Sequence, residues 1–217
     1  TIAEAVKLIR KDFPKLTINF NSNCSIHDKV AKVLDAGVDS IRVSLNRTVE
    51  STYNAYYRPN NYKFADVEKS IQAANERDVY VALNLLTMPG VNDRKSECDA
   101  LIDFMGRHRI ELIQTRNLNI DAEMLYGALK LEKDEIMGIK NMLRAVKKAH
   151  KHVKYGYFNR TKEDFFADRG LPDLKVKKPN KQKTSPKPQN KAAEAKPEAQ
   201  NKPAQKQNHY HKPKKRK

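Results

Sequence analysis

The chain has 217 residues, 43 of them Lys or Arg and 26 Asp or Glu, for a formal net charge of +17. No apolar run approaches the roughly 20 residues needed to cross a bilayer, and no charged-then-apolar N-terminus resembles a signal peptide, so a cytoplasmic location is the default expectation. Two cysteines, Cys24 and Cys98, are too few for a disulfide framework and have no metal-ligand spacing.

The charge is unevenly spread. Residues 175–217 hold 15 Lys or Arg against 2 Glu, a net +13, among Pro, Asn and Gln. Such a segment cannot bury enough apolar surface to offset its ordering entropy and reads as a disordered basic tail. Residues 1–174 carry only +4 and are ample for one packed core with a C-terminal helical extension.

In chain order, the pattern alternates helix and strand. Thr1 to Phe13 reads as a helix with Ala5, Leu8 and Ile9 on one side, ended by Pro14. Leu16 to Asn23 reads as a strand with Thr17, Asn19, Asn21 and Asn23 in one alternating phase. A helix over His27 to Ala36 carries Val30, Val33 and Leu34 at helical intervals, and Gly37 suits its C-cap. Ser40 to Asn46 is the next strand, with Arg42, Ser44 and Asn46 in the polar phase. A longer loop follows, holding Tyr53, Tyr56, Tyr57 and Tyr62, which either pack the loop down or touch a substrate. A helix over Phe64 to Asn75 then shows Val67, Ile71 and Ala74 on one face.

Val79 to Leu86 is the third strand, with Asn84 near its end, and a Met88-Pro89-Gly90 turn comes after it. Arg94 to Arg107 is a helix with Cys98, Leu101, Ile102 and Met105 on one stripe. Ile110 to Leu118 is the fourth strand, with Gln114 and Arg116 near its end. Strands alternating with helices of this length imply crossovers in a parallel sheet, an α/β fold with helices outside. Polar side chains near the C-terminal ends of such strands are where this architecture lines a site. Cys98 reads as core, whereas Cys24 lies beside that site. His27, His108, His150 and His152 have no metal-ligand geometry, His209 and His211 beside Tyr210 could bind a metal only adventitiously, and Arg144 to Lys151 reads as a solvated helix face.

Asn21-Ser22-Asn23, Asp39 to Asn46, Tyr53 with Tyr56-Tyr57-Arg58-Pro59, Asn84 to Arg94, and Gln114 to Asp121 together resemble the middle and later strands of a radical S-adenosylmethionine (SAM) enzyme core, over residues 1–160 or so. The resemblance implies a partial TIM-like barrel lacking the first two strand–helix units, an expected fragment of a longer enzyme. It implies SAM and a four-iron four-sulfur cluster as cofactors. Reductive cleavage of SAM there yields a 5′-deoxyadenosyl radical that takes hydrogen from a substrate, here an unknown small molecule or peptide. A reductant protein such as flavodoxin or ferredoxin is implied as partner. The family's CxxxCxxC loop, which holds the cluster, is missing from this sequence, as is its glycine-rich turn. Catalytic residues are therefore not assigned, and no metal ligand is expected in this chain.

By position on the barrel, the resemblance implies that Asn21, Asn23, Ser44, Asn46, Asn84, Gln114, Arg116 and Asn117 meet SAM or substrate. It implies Arg42 or Arg58 as partner for a carboxylate, although Arg42 sits early in its strand, where it could instead close the barrel floor. It also puts the backbone at Gly90 near adenine. The bland reading of each polar residue is a bond to a neighbouring backbone group. The alternative for the whole chain is a cluster-less barrel homologue whose basic tail makes non-specific contact with RNA or the ribosome.

Overall fold

The computed structural model describes residues 1–117, 119 and 121–157; the expected tail over 175–217 lies outside them. Helix α1 (Ile2–Asp12) is followed by β1 (Asn19–Ser22), α2 (His27–Asp35), β2 (Ser40–Leu45), α3 (Glu50–Tyr57), α4 (Phe64–Glu76), β3 (Tyr80–Thr87), α5 (Lys95–Arg107), β4 (Leu112–Asn117), α6 (Ala122–Leu129), α7 (Ile139–Ala149) and β5 (Lys154–Tyr155). The five strands form one parallel sheet in the order β1-β2-β3-β4-β5. Strand order that follows chain order, with helices gathered on one face, is the winding of a barrel rather than of a doubly wound sheet. The fold is thus α/β, consistent with a partial TIM-like barrel.

Alternation explains which face meets the helices. Ile41, Val43 and Leu45 of β2, Val81, Leu83 and Leu85 of β3, and Ile113 of β4 share one buried core with Val30 and Val33 of α2, Val67 and Ile71 of α4, Leu101 and Phe104 of α5, and Met142 and Val146 of α7. Each such aliphatic side chain withdrawn from water contributes about 1.5–3 kcal/mol. The opposite phase, starting at Ser40, Arg42 and Ser44, faces away from the helices.

Several boundaries differ from the sequence reading. The first strand begins at Asn19, not Leu16, because Ile18 N–H is taken by the Asp39 carboxylate at 2.7 Å and the Leu16 carbonyl by Arg10. On α1 the predicted face is not the buried one: Val6 is buried, whereas Leu8 is 63% exposed. This helix is held at its C-terminal end by Arg10, which donates from Nε to the Gly37 carbonyl at 2.6 Å and pairs with Asp39. The loop after β2 contains α3. Its Tyr53 is fully buried against Tyr57 and Phe64, ring centroids 4.6 and 4.8 Å away. The Tyr57 hydroxyl donates to the Ser44 carbonyl at 3.1 Å, so these tyrosines pack α3 onto the end of β2. A fifth strand, β5, pairs with β4 through Leu112↔Lys154 and Ile113↔Tyr155. Among the described residues no helix is long and apolar enough to cross a membrane.

Candidate functional site

On the face away from the helices, the ladder stacks polar side chains in rows. Asn19 lies opposite Ser40, and Asn21 opposite Arg42. One step further along, Ser44 lies opposite Asn84 and Asn84 opposite Gln114. Register partners in adjacent parallel strands point the same way, so Ser44, Asn84 and Gln114 form one row across β2, β3 and β4. Arg116, two residues on from Gln114, donates from Nε to Asn84 Oδ1 at 3.3 Å, and its guanidinium carbon lies 5.1 Å from the Tyr157 ring centroid. A second relay runs along β1: Ser40 Oγ donates to Asn19 Oδ1 and Asn19 Nδ2 to Asn21 Oδ1, both at 2.8 Å.

Gln114 is the best-prepared member of the row. It is 2% exposed, yet its Oε1 has no hydrogen-bond partner. A buried amide oxygen left in this state is costly unless something donates to it. Around it, Ser44 and Asn84 are half-buried and Arg116 is exposed, which grades the row from dry to wet.

Other expected site residues are placed elsewhere. Asn117 lies opposite Thr87, on the helix-facing phase, and so does not join Gln114 and Arg116. Asn23 is spent locally, its Oδ1 accepting from Ser25 Oγ at 2.9 Å and Ser25 N–H at 3.3 Å in the turn before α2. Arg58 is the exposed left-handed C-cap of α3. Arg42 is half-buried one row below Ser44, beside Asn21 and Ala82, deeper than a strand-end carboxylate clamp requires. The Met88-Pro89-Gly90 turn does bring Gly90 to φ +78°, but its open side is filled by Tyr126 of α6, whose hydroxyl lies 2.7 Å from where a Cβ would stand and donates to the Pro89 carbonyl. The close approach there is made by the chain's own tyrosine.

Asn46 departs most from expectation. The ladder ends at Leu45, and Asn46 turns into the protein at 0% exposure, with no partner for either side-chain atom. It lines a cavity of about 10 Å³ with Arg47, Thr48, Asn92 and Glu97, room for about one water. Its carbonyl accepts from Arg47 Nη1 at 2.7 Å and Asn92 Nδ2 at 2.8 Å. Sequence reasoning missed Arg47, 1% exposed, and Glu97, a charged residue inside the otherwise apolar stripe of α5. That interruption of the stripe was the available signal.

Burial raises the Glu97 carboxyl above its ordinary range, partly offset by Thr52 Oγ1, which donates to it, and by the Arg47 charge. Since the folded-state pKa is the higher, the native state holds the proton more tightly. The resulting stabilisation is complete below the unfolded value, near 4.5, and is lost as pH rises through the folded value. Desolvation raises the half-buried Glu111, which accepts the Val81 N–H of β3 at 2.7 Å, in the same direction. Glu97→Gln is therefore expected to flatten, without abolishing, the fall in denaturation midpoint as pH rises above about 4.5, the Glu111 share remaining. An unchanged slope in urea titrations would show that Glu97 is solvated in solution.

The thiols do not fit an iron–sulfur cluster. Cys24 and Cys98 are both buried and free. Desolvation pushes the Cys24 thiol up to about 12, away from the thiolate that a metal needs. Among the described residues no three His, Cys, Asp or Glu converge as metal ligands. Cys24 also belongs to the helix-side core rather than to the polar rows.

No protein-family model matches this sequence, and no curated protein sequence does. Solved structures do match in fold. A domain of pyruvate-formate lyase-activating enzyme from Bacteroides vulgatus superposes with a TM-score of 0.52 at 10% identity, over 71% of this chain and 89% of that domain. A radical SAM methyltransferase from Sphaerobacter thermophilus gives 0.48 at 11% identity, over 67% of this chain and 41% of that one. HydG, a maturase of the FeFe-hydrogenase, gives 0.48 at 16%, over 76% and 38%. The chain thus spans less than half the length of the latter two. At these identities the likeness is one of fold.

Proposed function

We propose that this chain is part of a radical SAM enzyme and that its polar row binds the adenosyl portion of SAM at the sheet's C-terminal edge. The observation that carries the reading is the in-register row Ser44–Asn84–Gln114, closed above by Arg116 and ending in a buried, unpartnered amide oxygen. Hydroxyl and amide groups both donate and accept, which suits ribose hydroxyls and an adenine edge, and Arg116 offers its remaining guanidinium nitrogens to a carboxylate. Asn21, across the sheet beside Arg42, would contribute from the β1 side. Bound SAM supplies the adenosyl group; the chain's own residues orient it and shield it from water.

Cluster ligands are not among the described residues, so on this reading they come from other residues of the enzyme, together with a reductant protein and a substrate of unassigned class. The setting is the cytoplasm. The fold likeness to a domain of an activating enzyme supports the reading at the level of architecture.

Isothermal titration of the 217-residue protein with S-adenosylhomocysteine tests it. Saturable binding is expected, weakened about tenfold by Asn84→Ala or Gln114→Leu, as loss of a buried hydrogen bond would give, and unchanged by Asn117→Ala on the other face. Absence of binding by a protein with intact helical circular dichroism would sink the proposal, as would equal weakening by Asn117→Ala.

A further inference from the structure

On α4 and α5 the surface cations are matched, while Lys7, Lys11, Lys29 and Lys32 of α1 and α2, unpaired among the described residues, share their helices with Glu4, Asp12, Asp28 and Asp35. Lys69 pairs with Asp66, Lys95 with Asp99, and Arg107 with Asp103 and Glu68. Helix α7 differs: Ile139–Ala149 contains Lys140, Arg144, Lys147 and Lys148 and no acidic residue. At 100° per residue these four fall within an arc of about 100°, opposite the buried Met142 and Val146. Lys151 continues the stripe beyond the helix, and all five are exposed. Among the described residues, none of the five forms an ion pair with a carboxylate.

The helix dipole explains only half of this. Cations in the last turn are favoured by it, and Lys147 there also donates to the Lys151 and Val153 carbonyls at 2.7 and 2.6 Å. Lys140 and Arg144, in the N-terminal half, gain nothing from the dipole. Four of the cations, Lys140, Arg144, Lys148 and Lys151, follow one another at intervals of four, four and three residues, a spacing of roughly 6 Å along the helix.

We propose that the outer face of α7, continued by Lys151, is a nucleic-acid-binding surface that contacts backbone phosphates without reading sequence. A regularly spaced, unneutralised row of cations matches a phosphodiester backbone, and release of counterions supplies the affinity. An anionic membrane is the less suitable partner, because the apolar side chains Met142 and Val146 are committed to the core and cannot insert.

The test is fluorescence anisotropy of the full chain with a labelled mixed-sequence 20-nucleotide RNA between 50 and 300 mM KCl. Substituting Lys140, Arg144, Lys148 and Lys151 with Gln removes four charges while leaving the carbonyl-bound Lys147. Affinity at 50 mM is expected to fall at least tenfold, and the log–log salt slope to shrink by about 3, from the roughly 0.7 per phosphate of a single strand. The matched control is Lys7, Lys11, Lys29 and Lys32→Gln on α1 and α2, expected to change the slope far less. On the unsubstituted protein, RNA should protect Lys140, Lys148 and Lys151 from acetylation more than Lys7 and Lys29, read by mass spectrometry. Equal slopes for the two variants, equal protection, or tighter binding to phosphatidylserine vesicles than to the RNA would overturn the proposal.

Discussion

Asp39→Ala is expected to lower folding stability by about 3–5 kcal/mol, the usual loss when one partner of a buried ion pair is removed, and to drop the melting temperature by roughly 10 °C. The Asp39 carboxylate is 1% exposed and faces the Arg10 guanidinium, itself 17% exposed. The same oxygen accepts the Ile18 N–H at 2.7 Å. Removing it strands a covered guanidinium and a backbone donor at the one place where α1, the β1 entry and the turn into β2 meet. Arg10 would still reach the Gly37, Leu16 and Pro14 carbonyls, so α1 should loosen rather than detach. Arg10→Lys, which keeps the charge but gives up the guanidinium fork, should lose less. A loss below about 1 kcal/mol in urea unfolding, the scale of an exposed pair, would mean that water reaches this contact in solution.

The same region shows why the sequence was legible in some places and not in others. Alternation identified β2 and β3 because both faces of those strands are committed, one to the helices and one to the polar rows, and a slip of one residue would exchange them. It overran β1 because Leu16-Thr17-Ile18 has strand-like residues whose backbone groups are claimed by Arg10 and Asp39, side chains 6 and 21 or more residues away in the chain. It missed α3 because Glu50–Tyr57 spreads serine, threonine, asparagine and tyrosine around the helix with no apolar stripe, and its packing comes from rings stacked on α4. It missed β5 because a strand of two residues, Lys154 and Tyr155, is too short to carry a period. On the face away from the helices, Ser44, Asn84, Gln114 and Arg116 fall together because they keep one parity along their strands, which alternation in the sequence shows. Asn117 breaks that parity and Asn46 lies past the end of its ladder, so neither joins the row.

What holds the end of β2 in place is the second large effect. Asn92→Ala is expected to cost about 2–5 kcal/mol, since it deletes two buried hydrogen bonds whose partners stay buried, at about 1–3 kcal/mol each. Asn92 Oδ1 accepts the Met88 N–H and its Nδ2 donates to the Asn46 carbonyl, both at 2.8 Å, so one side chain ties the loop after β3 to the end of β2. That carbonyl has a second donor in Arg47 Nη1 at 2.7 Å. Arg47→Met alone should therefore cost less, because it also relieves the burial of a cation whose Nε and Nη2 have no hydrogen-bond partner. In the double variant the carbonyl has neither donor, and the combined loss should exceed the sum of the single losses by about 1 kcal/mol, a coupling of the size expected for residues sharing a partner. Ser44 lies two residues before Asn46, so loosening this strand end should also weaken S-adenosylhomocysteine binding in Asn92→Ala, although Asn92 stands outside the Ser44–Asn84–Gln114 row. Additive losses in the cycle would show that the two donors act independently. An Asn92→Ala protein with lowered stability but undiminished ligand affinity would show that the row is positioned by the sheet alone.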